Sequence, residues 1–402
     1  EDMGKILSGT LNIQEGTTNS VPLLTAMLRD NPIISERTDF SVVNTSTTTG
    51  TIYQTNKTED GSTVYYYSGN TTNNWVKFGK FQNDIVKYRG YYSSTSTNFR
   101  DYITMSECTS ATSYNVNCSE YKYANAGEDM YWRIIRTNEN KSVRLLYVGN
   151  NPETENGFIG LSKYNDDPFS LIYSGYMFGT STSLESNRTN ENSSTIKNYI
   201  DNWYQNNLLT NYDRYINKAA IYCNDRSVKN NLYSTSNIFS FGALTRLDNS
   251  APTYKCGGDG TGGLFESTQA VEDMFSVSTE SGGNGQLTYP IALMTADEIT
   301  FAGGKYDTGK KDNNESWYFV NASNNSLVFS GGMWTMSPNT WDTEYIYING
   351  IRGNDKSGLL GYITLEGMLS VRPTISLESC VIVSGTGTSD DPYVVDYEGS
   401  CK

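Results

Sequence analysis

The 402-residue chain contains no histidine. Histidine is the side chain whose unperturbed pKa lies nearest neutrality, and it is the commonest metal ligand. Its absence excludes Ser-His and Cys-His nucleophile pairs, and zinc or non-haem iron sites that need an imidazole. Charge is scarce too: only 18% of residues are Asp, Glu, Lys or Arg, and they sum to −14. An acidic chain without a basic patch repels phosphate backbones and anionic lipid, so neither nucleic acid nor a membrane surface is expected as a partner. No run approaches the roughly 18 apolar residues of a spanning helix, so no membrane insertion is expected. Glu1-Asp2-Met3-Gly4 lacks a signal-peptide pattern, and the chain reads as a mature, extracellular form whose signal segment has been removed.

Tyrosine occurs 31 times, aromatics make up 13% of the chain, and Asn, Ser, Thr and Gly fill much of the rest. Aromatic and β-branched residues suit a pleated surface, so strands and polar loops are favoured over long helices. That aromatic content argues against disorder. The length exceeds one typical core. The expected fold class is α+β and β-rich, in four parts: an N-terminal extension with a short helix (1–60), a β-rich region with a disulfide insertion (61–129), an α+β domain (130–379) and a C-terminal hairpin (380–402). The six cysteines form neighbouring couples, Cys108 with Cys118, Cys223 with Cys256 and Cys380 with Cys401. No CxxC occurs, and an even count at such spacings favours disulfides made outside a reducing cytoplasm. Sequence leaves the connectivity open; short loops favour the local couples, with free buried thiols the alternative.

Ser20 is placed to cap a helix through Pro22–Leu28, closed by Pro32. Thr51–Tyr53, Thr63–Tyr67 and Trp75–Phe78 are separated by turn residues and read as a β-meander. Residues 91–127 read as an ordered insertion or linker. Tyr131–Arg136 and Ser142–Val148 flank Asn138–Lys141 and predict a hairpin. Ser194 followed by Ile196, Tyr199, Ile200 and Trp203 predicts an amphipathic helix. A further helix is expected over Thr268–Phe275. Thr295-Ala296-Asp297-Glu298 has the spacing of a capping box, a plainer reading than catalytic acids, and its helix should stop at Gly303-Gly304.

The order Tyr131–Arg136, Tyr289–Gly304, Trp334–Pro338 and Val371–Leu377 resembles uncharacterised exported surface proteins of gut Firmicutes and their relatives. Those carry a WRI strand, a YP…AGG block, a WTLSP block and a VRPxISL strand. Upstream Tyr65–Tyr67 and Asn73–Phe78, and the terminal Gly385-Thr386-Gly387-Thr388, fit the same pattern. More distantly the plan is similar to C-type-lectin-like folds, including the formylglycine-generating enzyme. The resemblance implies a lectin-like domain over 130–379 whose first and last strands pair and whose long loops bind ligand. Two departures restrict it. Ser337-Pro338-Asn339 and Asn339-Thr340-Trp341-Asp342 do not supply the calcium-lectin ligand set, and no reactive cysteine pair stands where formylglycine chemistry needs one.

Tyrosine with Ser, Gly and Asn is a composition suited to binding. The ligand-binding candidates are Trp341, Asp342, Tyr345, Tyr347, Asn354 and Asp355, beside the polar loop 349–361. The alternation Tyr345-Ile346-Tyr347-Ile348 is equally a half-buried strand with tyrosines outward, and Trp334 reads as core. No cofactor is required. A structural calcium is an option, with oxygens on Asp307, Asp312, Asn313, Asn314, Glu315, Asp342, Glu344, Asn354 and Asp355, but no D-x-D-x-D-G loop organises them. Gly257–Gly263 lacks a phosphate-loop ending and reads as a surface loop. The functional expectation is a non-enzymatic, adhesin-type surface protein recognising a glycan or a partner protein. The alternatives are a structural subunit of an extracellular filament or surface layer, self-associating into a fibre, and a secreted carboxylate-dependent hydrolase.

Overall fold

A computed structural model describes residues 20–402, apart from Asn98 and residues 153–156, 181–182, 184–185, 188, 229–235, 257–263, 267–268, 271–272, 307–331 and 352–358. Strand occupies 35% and helix 17%, which makes the chain β-rich as expected. All six cysteines are paired, as Cys108–Cys118, Cys223–Cys256 and Cys380–Cys401. Among the described residues no helix is long and apolar enough to cross a membrane.

One strand, Asp129–Thr137, organises the main ten-stranded sheet. It forms the expected hairpin with Val143–Gly149. Trp132, Ile134, Ile135, Leu145, Leu146 and Tyr147 are all buried, because both faces of the hairpin are covered. Its sequence is accordingly a near-continuous apolar run instead of an alternation. On the other edge, Trp75–Lys80 pairs with the first half of the strand, and Tyr66 pairs opposite Arg136. The expected meander is therefore corrected. Thr51–Thr55 and Val64–Tyr66 are neighbours, but Trp75–Lys80 lies end to end with Val64–Tyr66 along the same strand. Asn74 fills the gap between them: its carbonyl accepts from Ile134 N at 2.8 Å and its side-chain amide donates to Ile134 O at 2.9 Å.

The second hairpin strand pairs with Thr374–Leu377. The implied pairing of first and last strands thus runs through the intervening strand, not directly. Leu369–Val371 belongs to another sheet, and Pro373, which has no N–H to continue a ladder, marks the change. Both described ends of the chain enter the main sheet. Val21–Pro22 pairs with Ile382–Val383, and Tyr393–Val395 runs parallel to Trp75–Lys80. The helix Leu23–Asp30 buries Leu23, Ala26 and Met27; its N-cap is Pro22, and no side chain caps it, so Ser20 does not have the expected role. Strands from all four expected segments share this sheet.

Residues 91–127, expected as an insertion, add Phe99–Tyr102 and Val116–Ala124 to Ile85–Tyr91 in a three-stranded sheet, with helix Met105–Ser110 tied to it by Cys108–Cys118. Helix Thr195–Asn207 is capped as expected, Ser194 Oγ accepting from Lys197 N at 3.1 Å. It buries Ile196, Ile200 and Tyr204, and Trp203 meets the rings of Trp132 and Tyr147. Burial of each large apolar side chain contributes about 1.5–3 kcal/mol, enough to hold a helix of modest propensity. The expected helix over 268–275 is corrected: Gln269–Ala270 and Met274–Phe275 are strand. Met274–Phe275 is held by pairing with Tyr222–Cys223, beside the Cys223–Cys256 bridge. A second sheet, of seven strands, runs Gly160–Ser162, Leu369–Val371, Met333–Trp341, Ile346–Ile351, Leu359–Thr364 and Lys305–Tyr306, with Phe239–Ser240 also on Met333–Trp341.

Candidate functional site

The second sheet carries an aromatic ledge. Over Tyr345–Ile348 the alternation holds, with Ile346 and Ile348 buried and Tyr345 and Tyr347 partly exposed, and it ends in the fully buried Asn349, Gly350 and Ile351. Tyr347 meets Tyr362 edge-on at 5.1 Å between ring centroids, Tyr345 lies 6.3 Å from Tyr347, and Phe169 lies 4.9 Å from Tyr345. Phe169 is 58% exposed and Tyr362 49%, so the four rings form a continuous surface. Pro168 O accepts from Ile346 N at 2.8 Å, which docks the Phe169 loop onto the strand end.

Asp342 orders this surface. Its carboxylate accepts from Tyr345 N at 2.7 Å, Glu344 N at 3.0 Å and the Tyr347 hydroxyl at 2.8 Å, closing a turn in which Thr343 has φ 83°. Burial acts to raise the Asp342 pKa, but these three donors outweigh it and hold the carboxyl below its usual range. Desolvation and the Asp342 charge push the Tyr347 hydroxyl up to about 12, so it remains a neutral donor. The structure thus brings together Asp342, Tyr345 and Tyr347 of the expected residues. Trp341 is corrected: it is 5% exposed and packed in the core, where Met333–Trp341 is buried along nearly its whole length. Asn354 and Asp355 lie outside the described residues, as do the calcium candidates Asp307, Asp312, Asn313, Asn314 and Glu315 and the loop Gly257–Gly263. Of the remaining calcium candidates, Asp342 serves the turn and Glu344 is exposed beside it. No group of three or more Cys, Asp or Glu side chains suited to a metal ion occurs among the described residues. Asn339, in the segment compared with lectin ligand triplets, is buried and donates to Asn349 Oδ1 at 2.7 Å.

A cleft lies elsewhere, over a buried ion cluster. Arg136 and Arg144 stand directly opposite each other on the hairpin, a like-charge pair that would repel. Glu298 bridges them: Oε1 accepts from Arg136 Nε at 3.0 Å and from Arg144 Nη1 at 2.5 Å. The same carboxylate completes the capping box of helix Ala296–Ala302, with Oε2 accepting from Thr295 N at 3.0 Å. That helix stops at Gly303, whose φ of 122° suits glycine. Burial works to raise the Glu298 pKa, but Arg144 and Arg136 outweigh it and the group stays ionised. Next to it Arg246 binds Asp297 through two bonds of 2.9 and 2.8 Å, and its Nη1 lies 2.6 Å from Asp225 Oδ2, in ion contact though not aligned as a hydrogen bond. The three arginines are matched by three carboxylates. Above them opens a cavity of about 250 Å³ lined by Glu59, Asp60, Asn138, Glu139, Asn140, Ala219, Ala220, Ile221 and Ser281. An inner pocket of about 30 Å³ shares Glu59, Glu139 and Ile221 with it and reaches the ion cluster.

Sequence reading missed Phe169 and Tyr362 on the ledge and Glu59 and Glu139 at the cleft. Asp166-Asp167-Pro168 before Phe169 is turn chemistry that puts an aromatic on a loop tip. The arginines were the clearer signal, since a charge inside a buried apolar strand requires a buried partner. Compared with protein-family models, with curated proteins and with solved structures, the chain matches none of them.

Proposed function

We propose that the chain is an extracellular, surface-displayed binding protein of the adhesin type, whose lectin-like C-terminal part recognises a glycan through the ledge of Phe169, Tyr345, Tyr347 and Tyr362. The observation that carries this reading is four adjoining rings, two of them about half exposed, fastened to a sheet with a buried underside. Rigid tyrosines give contact area at little entropic cost, and their faces suit the C–H faces of sugar rings. Asp342 and Glu344 add acceptors for hydroxyl groups at the rim. Three disulfides support an oxidising compartment.

The test is calorimetric titration with neutral oligosaccharides found on a glycan array. Tyr345→Ala and Tyr362→Ala should each weaken binding by about tenfold or more, since hot spots concentrate in such aromatic anchors. Retained affinity in the double variant would remove the ledge from the binding surface.

A second reading, a filament subunit, is favoured by Ile33–Ser35. Among the described residues this strand ends the main sheet, with Ile33 59% and Ile34 48% exposed, an edge of the kind that accepts another strand. Electron microscopy of the purified chain separates the two, since the adhesin reading expects dispersed particles and the filament reading expects fibres. Deletion through residue 35 is unsuitable as a test, because it would remove the buried Leu23, Ala26 and Met27.

A further inference from the structure

We propose that the small sheet carries a second binding site, built on Arg100, Tyr92 and Tyr114, for a sugar residue that bears a carboxylate. It belongs to a different sheet from the ledge and stands whatever the ledge binds.

Two arginines on neighbouring strands of that sheet differ in one respect. Arg89 is matched by Asp101, whose oxygens accept from Nε at 2.8 Å and from Nη2 at 3.0 Å. Arg100 adjoins Asp101 in the strand and so points to the opposite face. Among the described residues no carboxylate lies at ion-pair distance from Arg100, and its buried Nε has no acceptor. Glu107, on the helix packed against that face, accepts from Ile103 N and Thr104 N at 3.0 Å each and is spent on the cap. The Tyr102 hydroxyl is directed to Ser113 O at 3.1 Å and Tyr114 O at 3.2 Å. In a chain of net charge −14, Arg100 is thus a local point of attraction for an anion.

The rings beside it select the form of that anion. The Arg100 guanidinium lies 5.0 Å over the Tyr114 ring, and Tyr92 lies 5.4 Å from Tyr114 between centroids. Tyr92 is 63% exposed, so most of its ring is open to a ligand next to the cation. Tyr114 is fixed in place. Its φ of 59° is rare for a bulky residue, and the Tyr102 hydroxyl holds the turn. Gly90, opposite Arg100 in the ladder, leaves the room this needs, because a Cβ there would lie 2.1 Å from Tyr114 O. A guanidinium edge takes a carboxylate through paired hydrogen bonds, and tyrosine faces suit the C–H faces of a pyranose. One arginine supplies one charge. A doubly charged phosphate would keep a charge uncompensated, and an acidic peptide would bring several into the field of an acidic chain. A single carboxylate on an otherwise neutral sugar meets the least repulsion.

The experiment is titration of the full chain with methyl glucuronide and with a methyl sialoside, followed by calorimetry and NMR. Methyl glucoside and N-acetyl-aspartate N-methylamide serve as the uncharged sugar and the acid without a sugar. Saturable binding of at least one acidic sugar is expected, with both comparison compounds weaker by about tenfold or more. Arg100→Gln should weaken binding by about tenfold, and Tyr92→Ala by about fivefold with an unchanged thermal midpoint, since Tyr92 is mostly exposed. Lys122→Gln, which removes a charge paired with Asp84 elsewhere on the sheet, should leave binding unaltered. The proposal is overturned by no saturation with either acidic sugar, by equal affinity for methyl glucoside, or by equal affinity for the aspartate compound. These comparisons use the unaltered protein and hold even if the Arg100 variant fails to fold.

Discussion

Two regions of the molecule bury cations in opposite ways. Under the cleft, Arg136, Arg144 and Arg246 lie against Glu298, Asp297 and Asp225. Between the small sheet and the main one, Lys87 is buried against rings: Nζ lies 3.6 Å from the Tyr123 centroid and 4.3 Å from that of Phe158, and it donates to Phe158 O at 3.1 Å. Burial lowers its pKa to about 7, with Arg372 and Arg89 adding and Asp101 opposing. Arg372, also buried, is lowered to about 10, with Tyr123 and Tyr147 opposing. The surroundings differ in one respect that matters. A carboxylate returns the Coulomb energy that burial removes, whereas a π-face and a carbonyl return only part of it. In the first region Glu298 stays ionised between its arginines; the second holds a lysine at the edge of giving up its proton.

The comparison breaks most visibly at Glu298. Glu298→Ala leaves Arg136 and Arg144 facing each other in the core and removes a cap, so a loss of about 3–5 kcal/mol is expected in denaturant unfolding. A loss under about 1 kcal/mol would mean that water reaches the cluster. A smaller effect, of a few kcal/mol, belongs to Lys87. Its folded pKa is below the usual 10.5, so between about pH 7 and 10.5 the unfolded chain binds the extra proton and stability should rise with pH. Lys87→Met should flatten that rise and stabilise the protein at pH 6, measured as the difference between the two unfolding curves across pH. The smallest effect is at the surface: Asp342→Ala should cost about 1 kcal/mol through the Tyr345–Tyr347 turn, while weakening ledge binding more than stability.

Local features were legible because their causes are local. Ser194 and the spacing of Ile196 and Ile200 predicted a helix, Thr295 and Glu298 a capping box, and the cysteine couples their own bridges. The meander failed because the strand that takes up Val64–Tyr66 and Trp75–Lys80 arrives only at Asp129, and no short-range pattern reports such a partner. Met274–Phe275 was misread for the same reason, its ladder partner being Tyr222–Cys223. At the ledge, Tyr345 and Tyr347 were visible by alternation, whereas Phe169 joins them through a loop far away in sequence. Asp297-Glu298 shows a limit of choosing between readings. The plain one is correct for Thr295 and Glu298, and yet the same carboxylates anchor the floor of the cleft.

The strand Tyr393–Val395 is wedged between Ile382–Ser384 and Trp75–Lys80, and the Tyr393 hydroxyl reaches Ala26 O across 367 positions of sequence. A polypeptide emerging stepwise from a ribosome therefore carries an incomplete sheet, with the flank of Trp75–Lys80 uncovered, until Tyr393–Val395 is free. Such long-distance closure is slow. A nascent chain stalled shortly before Tyr393 should accordingly be the form that proteases and holding chaperones recognise.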